Sequence, residues 1–139
     1  MSDFHDRKIL IIEDEQIVVD LYQLVLTRAG YPNIKSTPSG EEGLLIARQW
    51  RPHLIISDIL HAGIDGIEIC RELFLDPNTL STHFIIISGC SSGDRRALPA
   101  KDKNSGVSLY LTKPVDPREL VRRVEQIFRV AQADHDRGL

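Results

Sequence analysis

The sequence predicts an α/β domain built on a parallel β-sheet, and three observations carry that expectation. Short apolar runs alternate five times with longer segments of helical period. Two of the runs, LIIS (54–57) and FIIIS (84–88), lack inside–outside alternation, as strands buried on both faces do. Helix starts are written three times in one chemistry, a capping side chain followed three residues later by Glu. With right-handed crossovers, this order gives a parallel sheet with helices on both faces.

The elements follow in sequence. KILII (8–12) is the first strand, and Ile17, Val18, Leu21, Leu24 and Val25 then repeat at helical spacing until Gly30 offers a stop. NIKS (33–36) is a weaker second run, and Ser39-Gly40-Glu41-Glu42 opens the second helix. LIIS leads to Asp65-Gly66-Ile67-Glu68, the start of the third. After FIIIS, the segment 91–105 (SSGDRRALPAKDKNS) holds few apolar residues, and Pro99 interrupts it, which predicts a short or irregular fourth helix. SLYL (108–111) is the fifth strand. Asp116-Pro117-Arg118-Glu119 opens the fifth helix, with Pro where a missing N–H costs nothing. Beyond Phe128 the chain turns polar (RVAQADHDRGL), and fraying is expected there.

The 139 residues suit one domain, with a core over about 7–130 and a polar tail at 131–139. An apolar content of 42% and a charged content of 27% are those of an ordinary globular chain. A net charge of −3 argues against nucleic acid as the direct partner. Cys70 and Cys90 lie far apart and match no ligand spacing, which suggests a reducing compartment. The polar start MSDFHDRK is not a signal peptide, and no apolar stretch nears the roughly 20 residues that span a bilayer. A cytoplasmic protein without membrane contact is expected. The residues after the fifth helix are too few for a further domain, so output would pass through partner binding or dimerisation, unless the chain is a fragment.

In an open parallel sheet, ligands bind outside the carboxyl ends of the strands. Glu13, Asp14 and Glu15 follow the first run, Asp58 the third, Ser88 and Gly89 the fourth, and Thr112, Lys113 and Pro114 the fifth. Singly, each has an ordinary role: an acid after a strand caps a turn, a serine satisfies a backbone group, a loop lysine is solvated. Jointly they put acids, a hydroxyl and an ammonium at one edge. Converging carboxylates repel and need a cation or a shared proton, and oxygen-only ligands favour Mg²⁺. A lysine beside them would contact a phosphoryl oxygen. Metal, carboxylate nucleophile, hydroxyl and cation are the parts of phosphoryl transfer.

With IIEDE (11–15), ISD (56–58), Asp65-Gly66, ISG (87–89) and YLTKP (110–114) in order, each at a strand end or helix start, the chain resembles a response-regulator receiver domain. The resemblance implies a flavodoxin-like, doubly wound sheet of order 2-1-3-4-5, the order of the family's chemotaxis member. It makes Asp58 the phosphoacceptor, fed by a sensor histidine kinase or a histidine phosphotransfer protein. Glu13, Asp14, Asp58 and the carbonyl of Leu60 would hold Mg²⁺, with Glu13 acting through water. Ser88 and Lys113 would contact the phosphoryl group, Gly89 would leave room for it, and Tyr110 would be the rotamer switch. The Lys113–Pro114 bond is expected to be cis.

The chain departs from the family pattern at His61-Ala62, where Met-Pro is usual, so a fixed φ is lost from the loop. His61 is either an exposed loop histidine or a group that tunes phosphoryl hydrolysis with pH. Cys90, two residues after Ser88, borders the same pocket and either tunes hydrolysis as well or packs as a small hydrophobe.

The expected function is a switch: phosphorylation draws in Ser88 and Lys113, turns Tyr110 inward and alters the face of the fourth helix, fifth strand and fifth helix. An unidentified target, or a second copy forming a homodimer, would read that face. Such a domain catalyses only its own phosphorylation and slow dephosphorylation, and is not otherwise an enzyme. The alternative is a degenerate receiver, a non-phosphorylated protein-interaction module. The first strand's loop lacks glycine, which leaves neither a dinucleotide fingerprint nor a P-loop.

Overall fold

A computed structural model describes residues 4–58, 64–89 and 107–138. The strands are β1 (Ile9–Ile12), β2 (Ile34–Thr37), β3 (Leu54–Asp58), β4 (His83–Ser88) and β5 (Leu109–Thr112). The helices among the described residues are α1 (Gln16–Arg28), α2 (Gly40–Trp50), α3 (Gly66–Phe74) and α4 (Pro117–Asp136). The expected irregular helix at 91–105 lies outside the described residues, so the C-terminal helix is α4.

All strand pairs are parallel and the sheet order is β2-β1-β3-β4-β5, as expected. β1, β3 and β4 are buried on both faces, which explains their unbroken Ile/Leu runs. Alternate residues feed two cores. Ile9, Ile11, Leu54, Ile56, Ile85 and Ile87 pack against α1 and α4. Leu10, Ile12, Ile55, Phe84 and Ile86 pack against α2 and α3.

The three capping side chains act as read, accepting backbone N–H bonds: Ser39 from Glu42, Asp65 from Glu68 and Asp116 from Arg118. Glu119 turns instead to Arg122 and Arg123 on its own helix. Gly30, at φ 102°, ends α1 by a turn that other residues rarely adopt. The Lys113–Pro114 bond is cis.

Two expectations need correction. The buried face of α1 is Val19, Tyr22 and Leu26, with Val18 and Val25 at its margin. Ile17, Leu21 and Leu24, counted with the apolar repeat, are exposed at 78%, 40% and 48%. Two stripes overlap on this helix, and Tyr22, whose hydroxyl makes it read as polar, belongs to the buried one. The second correction is at the C-terminus, where α4 stays helical to Asp136 instead of fraying after Phe128. The N-terminal segment braces it: Phe4 stacks on Phe128, and the Arg7 guanidinium donates to Gln132. No helix of the described residues is long and apolar enough to cross a membrane.

Candidate functional site

The strand order reverses between β1 and β3, since the chain leaves β1 for β2 on one side and builds β3, β4 and β5 on the other. A crevice therefore opens at their carboxyl ends. Glu13 and Asp14 follow β1 there, and Asp58 is the last residue of β3. Glu13 and Asp58 are 4% and 9% exposed, whereas Asp14 is open to solvent. One carboxylate oxygen from each lies within 4.8 Å of the others, close enough to bind one cation. These hard oxygen donors fit Mg²⁺.

The acids are not spent on the first helix. Glu15 occupies the N-cap position of α1, but its side chain makes no capping bond. Glu13 curls back so that its Oε2 accepts the Asp14 N–H at 2.9 Å. Its other oxygen faces Lys113.

Lys113 is the centre of the electrostatics. It follows β5, and its backbone N–H donates to the Ser88 carbonyl at 2.8 Å, tying it to the end of β4. Its Nζ donates to Glu13 Oε1 and Asp58 Oδ2, both at 2.8 Å, and lies 3.9 Å from Glu15 Oε1. Partial burial works against the ammonium, but its bonds to Asp58 and Glu13 outweigh that and raise its pKa. Burial pushes the Glu13 carboxyl up, with Asp58 and Asp14 adding to the rise and Lys113 opposing it. Burial beside the same cluster holds the Tyr22 hydroxyl up at about 12. One ammonium thus holds together two buried acids, with a third alongside.

Ser88 is fully buried at the end of β4, in register with Thr112 of β5. Tyr110 is half-buried against the core on the α2 and α3 side. Glu13, Asp14, Asp58, Ser88 and Lys113 therefore gather at one edge, with Tyr110 two residues inside it. Leu60, His61 and Cys90, the remaining site candidates, lie outside the described residues.

Two glycines border this edge, and they differ in how closely they are packed. Among the described residues, a Cβ on Gly89 would meet only Lys113 Cδ, at an ordinary 3.5 Å. One on Gly66 would lie 2.8 Å from the Asp58 carbonyl oxygen and 2.9 Å from Ser57 Oγ. Gly66 lets the first turn of α3 seat directly on the strand that carries Asp58. A second contact escaped the sequence altogether: the Ile64 N–H donates to Glu41 Oε1 at 3.1 Å, joining the start of α3 to the first turn of α2. Only the helix-start pattern singled out Glu41, and that pattern says nothing of its partner.

Residues 9–125 match the model of the response regulator receiver domain family. The chain is 34% identical over 124 residues to the alkaline phosphatase synthesis transcriptional regulatory protein PhoP of Bacillus subtilis, covering 89% of this chain and 49% of that protein. It is 32% identical over 128 residues to a chemotaxis protein of Rhizobium etli named as a probable CheY, covering 92% of this chain and 97% of that one. A crystal structure of the signal receiver domain of a histidine kinase from Syntrophus aciditrophicus superposes with a TM-score of 0.76 at 28% identity, covering 86% of this chain and 88% of that one. The chain spans about half the length of the first curated relatives it matches.

Proposed function

Because the chain belongs to the response regulator receiver domain family, we propose that it is a phosphorylation-driven switch of a two-component system, with Asp58 as phosphoacceptor. The observation that carries this reading is the shared ammonium: Lys113 Nζ lies 2.8 Å from both Asp58 and Glu13, with Asp14 beside them. That arrangement pairs the Asp58 carboxylate with an ammonium and still leaves more acids than cations for a divalent ion to balance.

The donor is a phosphohistidine on a sensor kinase or a histidine phosphotransfer protein. An Asp58 carboxylate oxygen attacks phosphorus, the O–P bond forms as the N–P bond breaks, and the departing imidazole takes up a proton. Asp14 and Asp58, Glu13 through water and, as the family resemblance implies, the carbonyl of Leu60 would hold Mg²⁺, which would supply the positive charge that lets a phosphoryl group approach these acids. Lys113 follows the charge, exchanging a carboxylate for a phosphoryl oxygen, while the Ser88 hydroxyl donates a hydrogen bond to another. Tyr110 then moves inward, and the face built on β5 and α4 changes for a downstream partner or a second copy. The exposed stripe Ile17, Leu21 and Leu24 on α1, of which Leu21 lines a pocket with Lys113, Pro114 and Val115, suits an apolar face of the donor.

The test is intact mass after incubation with Mg²⁺ and acetyl phosphate. The expected result is one added phosphoryl group on the wild type and none on Asp58→Asn. No label on the wild type, under conditions that label a control receiver, refutes the switch. It would leave a receiver fold serving as a non-phosphorylated interaction module.

A further inference from the structure

Asp58 is anchored as the last residue of β3, and the chain is next described at Ile64. Three contacts fix that second point. The Ile64 side chain packs on the Leu10, Ile12 and Ile86 core. Gly66 abuts the Asp58 carbonyl. The Ile64 N–H is held by Glu41 Oε1, whose other oxygen accepts the Ser39 hydroxyl at 3.4 Å. The five residues between these anchors include Leu60 and His61-Ala62, where the chain lacks the Pro usual in the family.

We propose that Glu41 is a positioning residue for the phosphoacceptor site: by accepting the Ile64 N–H, its carboxylate fixes the start of α3, whose Gly66 seats against the Asp58 carbonyl. The inference rests on the functional reading above and extends it to a residue that touches neither metal nor phosphoryl group. Its consequence is that Mg²⁺ affinity depends on an oxygen acceptor in the first turn of α2. The competing role for Glu41 is a helix N-terminal acid that favours α2 through its charge. The two separate cleanly. A clamp needs the oxygen and survives Glu41→Gln, whereas a dipole effect needs the charge and is lost with it. Glu42, also acidic and in the same turn, is the internal control, because it shares the helix position and not the clamp.

Three variants, Glu41→Ala, Glu41→Gln and Glu42→Ala, are compared with wild type in two measurements: amide exchange at Ile64 and Mg²⁺ affinity by calorimetry. Phosphorylation by acetyl phosphate is followed in parallel. Loss of one net hydrogen bond predicts that Glu41→Ala weakens Mg²⁺ binding about three- to tenfold and speeds Ile64 exchange by at least about as much. Glu41→Gln and Glu42→Ala stay within about twofold of wild type in both. The proposal is overturned if Glu41→Gln tracks Glu41→Ala, or if Ile64 exchange accelerates while Mg²⁺ affinity stays unchanged. A wild type that binds Mg²⁺ but takes no phosphoryl group refutes the functional reading alone, and the clamp is still judged on the first two readouts. A wild type that binds no Mg²⁺ overturns both.

Discussion

Replacing Lys113 by Met removes the one ammonium between Glu13 and Asp58 and leaves two nearly buried carboxylates facing each other. The size of the effect follows from the geometry. Each pair contributes about 4 kcal/mol of Coulomb attraction at 4 Å with an effective dielectric near 20, offset in the wild type by the cost of burying the ions. Breaking a buried pair by deleting one partner typically costs about 3–5 kcal/mol. Proton uptake sets a ceiling. Neutralising one carboxyl of ordinary pKa 4.5 at pH 7.5 costs about 4 kcal/mol, three pH units at about 1.36 kcal/mol each. A loss of about 3 kcal/mol is therefore expected at pH 7.5 in EDTA, or about 10 °C in Tm for a chain of this size.

The pH dependence gives the prediction its second handle. Lys113, with its pKa raised from 10.5, keeps its charge throughout the range from pH 5 to 9 and adds no slope of its own in the wild type. In the variant Glu13, raised by burial and by Asp58, loses the opposing Lys113, so the folded state binds a proton more tightly than the unfolded one. Its stability relative to wild type is then lowest at high pH and recovers as pH falls toward 5. Mg²⁺ at 10 mM should recover much of the loss at pH 7.5, because it binds the native cluster only. Differential scanning calorimetry at pH 5 and 7.5, with and without Mg²⁺, reads all three. A variant within about 2 °C of wild type in EDTA at pH 7.5, or a deficit that does not shrink on acidification, refutes the reasoning.

Gly66→Ala should cost about 1–3 kcal/mol by overpacking and slow acetyl-phosphate labelling, because the added Cβ meets the Asp58 backbone oxygen. Gly43→Ala, whose Cβ would meet Cδ1 and Cγ1 of the fully buried Ile12, should cost a similar amount in chemical denaturation and leave labelling unchanged, since it meets no atom of Asp58. Burial lowers the pKa of His83 from 6.5, so the unfolded chain binds the proton more tightly and stability falls as pH drops below 6.5. His83→Gln should flatten the Tm profile between pH 7.5 and 5.5, with a further slope left by His53, which burial shifts the same way. Cys70 is buried with its thiol pushed up to about 12, so peptide mapping after iodoacetamide at pH 8 should find it unmodified in the folded protein and labelled in denaturant.

How much of this was legible in the sequence depends on what each feature is made of. Glu13, Asp14, Asp58, Ser88 and Lys113 could be gathered from sequence because a parallel sheet sends every strand's carboxyl end to one edge, so position after a run is enough. Helix starts at Ser39, Asp65 and Asp116 were legible because a cap is a local bond over two or three residues. The outward turn of Ile17, Leu21 and Leu24 was not. Two helical stripes of similar spacing coexist on α1, and the packing of Tyr22 and Leu26 against the sheet chooses between them.

The contacts that refine the site fall in this second group for a common reason. Gly66 sits against Asp58 because α3 leans on β3, and Glu41 reaches Ile64 because α2 and α3 share one face of the sheet. Both pairings join residues whose only relation is the angle at which two crossovers return to the sheet, which no local pattern encodes. The burial difference between the adjacent acids has the same origin. Glu13 turns under Lys113 while Asp14 faces solvent, although sequence places both one step past β1. Residue chemistry and strand order therefore say which groups meet, and helix packing decides which of them is held and which is left to receive a ligand. That division leaves Asp14, the exposed member of the cluster, as the acid that a cation of the proposed switch would meet first, while Glu13 and Asp58 are paired with Lys113.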